Sequence, residues 1–287
     1  MIDLHTHTTA SDGRLTPRQL ISRAEDMGLE AVAITDHDTL DGIAPADEYA
    51  RRIGMPFIPG IEISAEYGPA GTMHILGYFV DESAPGFSDT LAFLKQARSK
   101  RNPLIIERLK SCGVDVSMED VRREAGSAQI GRPHFARAIV KKGFAASIPE
   151  AFERFVKKGA PCYVNKERLL PERAIELIRK ARGIPVLAHP KTLNMDILRE
   201  LPLLLGRLKE TGLMGLEAYY YAHSKAEEEH FLRLSRKLSI LATGGSDFHG
   251  DNKPRVALGK GNGNLFVPRE VYDLLVCARE KMDVPLP

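Results

Sequence analysis

Short apolar runs alternate along this chain with stretches whose apolar residues recur at helical spacing, the pattern of a parallel α/β fold. The runs predict strands at residues 2–5, 31–35, 57–61, 74–80, 184–188, 214–218 and 240–243. Helices are predicted at 16–27, 171–182, 196–209, 224–237 and 268–281. Thr16 and Pro17 suit a cap and first turn, and Gly28 suits a stop. Residues 86–165 break the alternation, reading as consecutive helices at 87–112, 118–125, 133–142 and 149–158, with Gly113, Gly143 and Gly159 between them. The expected architecture is a distorted α/β barrel formed by residues 1–85 and 166–287. Residues 86–165 would be a small all-helical insertion packed over its rim.

Composition narrows the picture only slightly. The chain has 287 residues, 43% hydrophobic and 27% charged, with a formal net charge of +2. That balance gives no general attraction to nucleic acid or anionic membrane, so affinity for phosphate must come from local groups. Cys112, Cys162 and Cys277 are scattered and odd in number, which argues against a disulfide framework and for a reducing compartment. No run approaches membrane-spanning length, and His5 stands where a leader would need an apolar core. A cytoplasmic protein is expected, with no obligate protein partner evident.

The chemistry is concentrated in histidines and carboxylates that fall at or just after predicted strand ends, where barrel-type α/β enzymes assemble their sites. They are His5, His7, Asp12, Asp36-His37-Asp38, Glu62, His189, Asp247 and His249. His74 lies at a strand start, which reaches the same rim only if its strand runs antiparallel. Residues two apart on a strand share a face, so His5 with His7, and Asp247 with His249, can grip one ion. Imidazole and carboxylate without thiolate make a site for zinc, manganese or iron. Singly, Asp12 or Glu62 could be a helix cap, but nine such residues at strand ends are not coincidence. Asp36 and Asp38 are expected to orient a ligand imidazole.

The order His-x-His, Asp, Asp-His-Asp, Glu, His, His, Asp-x-His resembles the polymerase and histidinol phosphatase (PHP) superfamily. That resemblance implies a distorted seven-stranded barrel with two or three divalent metals, manganese being expected and iron or zinc compatible. Ser11-Asp12-Gly13, the run Thr35 to Thr39 and Gly131 to Ala136 look like the branch of nucleoside 3′,5′-bisphosphate phosphatases, some of which trim short RNA from its 5′ end. By resemblance, His5, His7, Glu62 and Asp247 would hold one ion and Asp12, His37 and His249 a second. Glu62, His74 and His189 would hold a third. Ions about 3.5–4 Å apart can hold a bridging hydroxide, the expected in-line nucleophile. Three ions would leave the pocket positive and two would leave it neutral, which mildly favours three.

Arg132 and His134 near a helix start are candidates for seating a second phosphate, and Arg14 and Lys191 could also reach one. Tyr219-Tyr220-Tyr221 could stack a base or pack in the core. His223 and His230 read as residues of a surface helix. The expected substrate is a nucleoside bisphosphate or a short oligoribonucleotide. A small-metabolite phosphatase, as for histidinol phosphate, and a non-catalytic metal-stabilised binding module are the alternatives.

Overall fold

The computed structural model describes residues 1–68, 71–126 and 129–283. Its six strands form one curled sheet in sequence order: β1 (Val32–Ile34), β2 (Phe57–Tyr67), β3 (Gly71–Tyr78), β4 (Ile184–Leu187), β5 (Gly215–Tyr220) and β6 (Leu241–Gly245). β3 runs antiparallel to both its neighbours, and the other pairs are parallel. The reversal brings His74, paired opposite Ser64, to the rim that carries the strand ends.

Residues 2–5 do not form a regular strand. Their segment makes isolated parallel bridges, Asp3 to Val32 and Thr6 to Phe248. The amide of Asp3 donates to Ala31 and that of Ala33 donates back to Asp3, while Leu4 and His7 donate to Gly244 and Phe248. The segment thus bonds to β1 on one side and to β6 and its following loop on the other, taking the place of a seventh strand between the sheet's two edges.

Helices cover the outside of the sheet. α1 (Pro17–Asp26) has a reciprocal cap between Thr16 and Gln19 and buries Leu20, Ile21 and Ala24. α2 (Ile43–Ile53) is absent from the elements expected from sequence, although Ile43, Ala46, Ala50 and Ile53 recur at helical spacing and pack against the core. The helical segment comprises α3 (Phe87–Ser111), α4 (Met118–Ala125), α5 (Arg132–Lys141) and α6 (Ile148–Ala151), the last running into a π turn at Phe152–Val156. These helices have an apolar core of their own around Ile105, Leu109, Val121, Phe135, Ile139 and Phe155. α7 (Pro171–Lys180), α8 (Glu200–Glu210), α9 (Lys225–Leu238) and α10 (Arg269–Asp283) complete the fold. α8 begins later than expected because Asp196 Oδ1 accepts from the amides of Leu198 and Arg199, turning the chain before the helix. Among the described residues, no helix is long and apolar enough to cross a membrane.

A close backbone approach occurs at Gly245 on β6, where an added Cβ would lie 2.3 Å from the His5 nitrogen and 2.5 Å from the His5 Cβ. Gly245→Ala should therefore destabilise the fold by about 3 kcal/mol, the upper range for overpacking a core. Urea unfolding measures this, and an unchanged midpoint would show that the ring closes more loosely than described.

Candidate metal centre

All nine predicted ligand residues converge at one rim. Their ligand atoms form four overlapping groups, each within 4.8 Å: His7, Asp12, His37 and His249; His5, His7 and Asp247; His5, Glu62 and His189; His37, Glu62 and His74. Glu62 is fully buried at the middle of the cluster. Its Oε1 lies 2.8 Å from His74 Nδ1, 3.0 Å from His189 Nε2 and 3.4 Å from His5 Nε2. Its Oε2 lies 2.9 Å from His37 Nδ1 and 3.2 Å from His7 Nε2. His5 Nε2, both ring nitrogens of His7, His37 Nδ1 and Glu62 Oε2 are buried without a hydrogen-bond partner. Buried polar atoms are normally satisfied. A concave set of nitrogen and oxygen donors with unspent lone pairs fits divalent cations.

The imidazoles are aimed by partners behind them. Glu217, fully buried on β5, places Oε1 2.9 Å from His5 Nδ1 and accepts the His189 amide on Oε2 at 2.7 Å. A carboxylate only accepts, so Nδ1 of His5 carries the proton and Nε2 faces the cluster. His249 Nδ1 likewise donates to the Asp247 carbonyl at 2.8 Å. Thr192 Oγ1 donates to the His189 carbonyl and so accepts from His189 Nδ1, 2.8 Å away. Asp36 and Asp38 do not orient imidazoles, contrary to expectation. Asp36 accepts from the Thr8 amide and from the hydroxyls of Thr8 and Ser11, fixing the loop that carries Asp12. Asp38 binds Arg98 at 2.5 Å, Lys166 at 2.6 Å and the Ser64 amide. Asp38, His189 and Asp247 have positive φ of 55°, 26° and 54°, strain that accompanies functional sites.

Charge within the cluster is strongly biased. Burial disfavours a charged His7, but its bonds to Asp247 and Glu62 outweigh this and raise it to about 9. His5 is raised in the same way, Glu217 and Glu62 overcoming burial. Burial holds His74 and His249 at about 4, assisted at His249 by Lys253. Asp12 and Glu62 stay well below the carboxylate range despite burial, because imidazoles surround them. The metal-free cluster therefore holds protons on His5 and His7 at neutral pH, which a divalent ion would displace.

Beside the cluster lies a cavity of about 210 Å³ lined by Asp12, His37, His74 and His249 on one side, with Arg98, Arg101, Arg132, Lys166, Arg168 and Phe152 around it. Arg98 and Lys166 share Asp38, whereas among the described residues Arg101, Arg132 and Arg168 have no ion pair. Arg132 lies over the Tyr163 ring, its guanidinium 5.4 Å from the centroid. Burial, then Arg98, holds Lys166 down at about 7 even beside Asp38. Of the predicted phosphate contacts, the structure brings only Arg132 to this cavity wall. His134 is buried and its Nδ1 accepts the Gly131 amide at 2.9 Å, capping α5. Arg14 is exposed and lines a different cavity behind Phe248. Lys191 turns away to Glu227 and the Ala222 carbonyl.

Several participants escaped sequence reasoning. Glu217 sat in a predicted strand without a neighbouring ligand to draw attention to it. Arg98 and Arg101 lie within a predicted helix and Lys166 and Arg168 just beyond the helical segment, with no local pattern to single them out. Lys253, four residues past His249, places Nζ 2.5 Å from Asp247 Oδ2. Of the three tyrosines, Tyr220 is buried with its hydroxyl 3.1 Å from the same oxygen, and Tyr219 packs at the core. His223 is not a surface residue: it is buried, with Nδ1 bonded to the Ala218 carbonyl and its ring edge-on to Phe231.

A curled α/β sheet with a buried imidazole–carboxylate cluster on one rim defines a protein with a candidate multi-ion divalent-metal centre. Comparison with known proteins identifies the family. The sequence model of the PHP domain matches residues 3–142. The 5′-3′ exoribonuclease Rnm of Escherichia coli K12 is 36% identical over 271 residues, covering 94% of this chain and 90% of that protein. A 3′,5′-nucleoside bisphosphate phosphatase of Chromobacterium violaceum is 32% identical over 249 residues, covering 86% and 87%. A crystal structure described as a metal-dependent phosphoesterase from Bifidobacterium adolescentis superposes with a TM-score of 0.86 at 31% identity, over 99% of this chain and 97% of the other. The chain belongs to the PHP domain family.

Two outcomes are expected at this centre. Glu217→Gln should weaken divalent-metal affinity by about 10–100-fold, the usual effect of removing a carboxylate behind a ligating imidazole; metal-competition titration measures it, and unaltered affinity would remove Glu217 from the centre. Because His5 and His7 are protonated in the metal-free state, loading near pH 7.5 should release protons and affinity should fall as pH drops below about 9. Calorimetry in buffers of different ionisation enthalpy would reveal the release.

Proposed function

We propose that this PHP phosphoesterase hydrolyses the 3′-phosphate of nucleoside 3′,5′-bisphosphates, such as 3′-phosphoadenosine 5′-phosphate, to nucleoside 5′-monophosphate and phosphate. The carrying observation is the basic cavity against the metal cluster, where Arg98 and Lys166 share Asp38 while Arg101, Arg132 and Arg168 line the wall without an ion pair among the described residues. Buried guanidinium groups without carboxylate partners are costly unless an anion joins them. A phosphomonoester at the cluster does not need this cavity; a second phosphate on the same molecule does. The 5′-phosphate of a short oligoribonucleotide offers the same group, so the proposal extends to 5′→3′ trimming of short RNA.

In this reading His5, His7, Glu62 and Asp247 would hold one ion, Asp12, His37 and His249 a second, and Glu62, His74 and His189 a third, with manganese as the preferred metal. Bound divalent ions would supply Lewis acidity and an activated water. The chain's own groups do the rest. Arg132 presents a fork for bidentate binding of the 5′-phosphate, Arg98 and Lys166 are held towards it by Asp38, and Phe152 offers an apolar face to the nucleoside. A dianion arriving beside Lys166 would restore full protonation there.

Incubating the manganese-loaded protein with adenosine 3′,5′-bisphosphate should release inorganic phosphate, and His7→Ala should abolish that release. Arg132→Ala should raise KM for the bisphosphate on the order of tenfold, the worth of a charged hydrogen-bonded contact, and leave turnover of a 3′-monophosphate nearly unchanged. Equal losses on both substrates would remove the reason for assigning a bisphosphate.

A further inference from the structure

Lys253 is held at the metal cluster by its own loop. A 3₁₀ turn at Gly250–Asn252 precedes it, and its amide donates to Gly250 at 2.9 Å. Within that turn Asn252 is pinned from both sides: its Nδ2 donates to the Asp12 carbonyl and its Oδ1 accepts from Arg137 of α5 at 2.6 Å. The lysine side chain reaches back to Asp247 Oδ2 and stays 33% exposed, while Asp247 is 6% exposed. The other oxygen of Asp247, Oδ1, is the one that faces His7 Nε2 at 3.4 Å and His249 Nδ1 at 3.3 Å.

Stabilising Asp247 does not account for this placement. Oδ2 already has a neutral donor in the Tyr220 hydroxyl at 3.1 Å. An ammonium next to a pocket that collects divalent cations opposes their binding, since like charges repel most strongly where water is excluded. Such a group is favourable in the working state only if an anion joins the cluster. Lys253 also lines both cavities at the rim: the basic one, and a second of about 260 Å³ whose lining includes Glu62, His189, Tyr220, Asp247 and, shared with the basic one, Arg132. The ammonium has three donors, and Asp247 takes one. The remaining two are free to meet an anion in the space that Lys253, His37, His74 and Arg132 line in both cavities.

We propose that Lys253 is a catalytic residue that grips the phosphoryl group under attack, as distinct from the second phosphate. In the hydrolysis the bond from phosphorus to the ester oxygen breaks and a bond to a water oxygen forms. A proton of that water ends on the leaving alcohol. Negative charge grows on the ester oxygen and its neighbours on the way, and the Lys253 donors meet that charge without surrendering a proton. The inference rests on the phosphoesterase reading of the centre and is independent of the bisphosphate assignment.

The test compares Lys253→Met and Lys253→Arg with the parent protein, all metal-loaded, on adenosine 3′,5′-bisphosphate and on 4-nitrophenyl phosphate. Metal content and the affinity for inorganic phosphate are measured alongside. Lys253→Met should lower kcat on the bisphosphate on the order of 10²-fold, the loss typical of one transition-state donor. The loss should be smaller on 4-nitrophenyl phosphate, whose leaving oxygen needs less help. Phosphate affinity should fall on the order of tenfold, as for one charge-assisted contact. Metal per chain should match the parent, and Lys253→Arg should recover part of the rate. Loss of metal in parallel with activity would reduce Lys253 to a support for Asp247 and overturn the proposal, as would unchanged kcat and phosphate affinity. If the parent cleaves 4-nitrophenyl phosphate but not the bisphosphate, the substrate assignment fails, and Lys253 is judged on the remaining readouts.

Discussion

Five imidazoles approach one buried carboxylate, and the rest of the structure serves that encounter. Glu62 draws His5, His7, His37, His74 and His189 from five places in the chain to within 3.4 Å of its two oxygens. Such a concentration of polar groups away from water is unfavourable unless every lone pair and proton has a counterpart. The fold meets that demand in two ways. Behind the ligands, Glu217, Thr192 and the Asp247 carbonyl fix which ring nitrogen carries a proton. In front of them, the unspent donor atoms define where cations belong.

Much of this could be read from the sequence, for an identifiable reason. Ligands placed at strand ends leave a local signature, a histidine or carboxylate directly after an apolar run, whereas His74 could reach the common rim only on a reversed strand, which the structure supplies. The barrel strands from β1 onward and most helices were legible through their apolar periodicity. α2 was missed, although Ile43, Ala46, Ala50 and Ile53 carry a helical stripe onto the core. The first segment read as a strand, but it makes single bridges to either side in place of a continuous ladder. What stood outside sequence reasoning was partner choice across long separations. Nothing local says that Asp38 pairs with Lys166, 128 residues on, or that Glu217 sits behind His5. His134 shows the converse error: its position beside Arg132 suggested ligand chemistry, whereas its ring nitrogen closes the first turn of α5.

The helical segment has its own apolar core yet contributes to the barrel's site mainly through charge. Arg98 and Arg101 are buried on α3, and Phe152 comes from a π turn, a distortion that often re-aims side chains at functional places. Asp38 is the joint between the two parts. Its strained backbone follows the ligand His37 directly, and its carboxylate takes one cation from α3 and another from the segment that returns to the barrel. Cation capture and anion capture are thus adjacent and mechanically linked through two successive residues.

The closure of the sheet by residues 2–7 has a temporal consequence. His5 and His249 are the outermost contributors to the cluster along the chain, and the amides of Leu4 and His7 bond to Gly244 and Phe248. A nascent polypeptide therefore cannot complete the centre until its last strand and the loop beyond it have left the ribosome. Completion of the centre is deferred until residues 241–249 have been made, and a chain stalled within the helical segment would display its early histidines without the partners that make them a trap for ions.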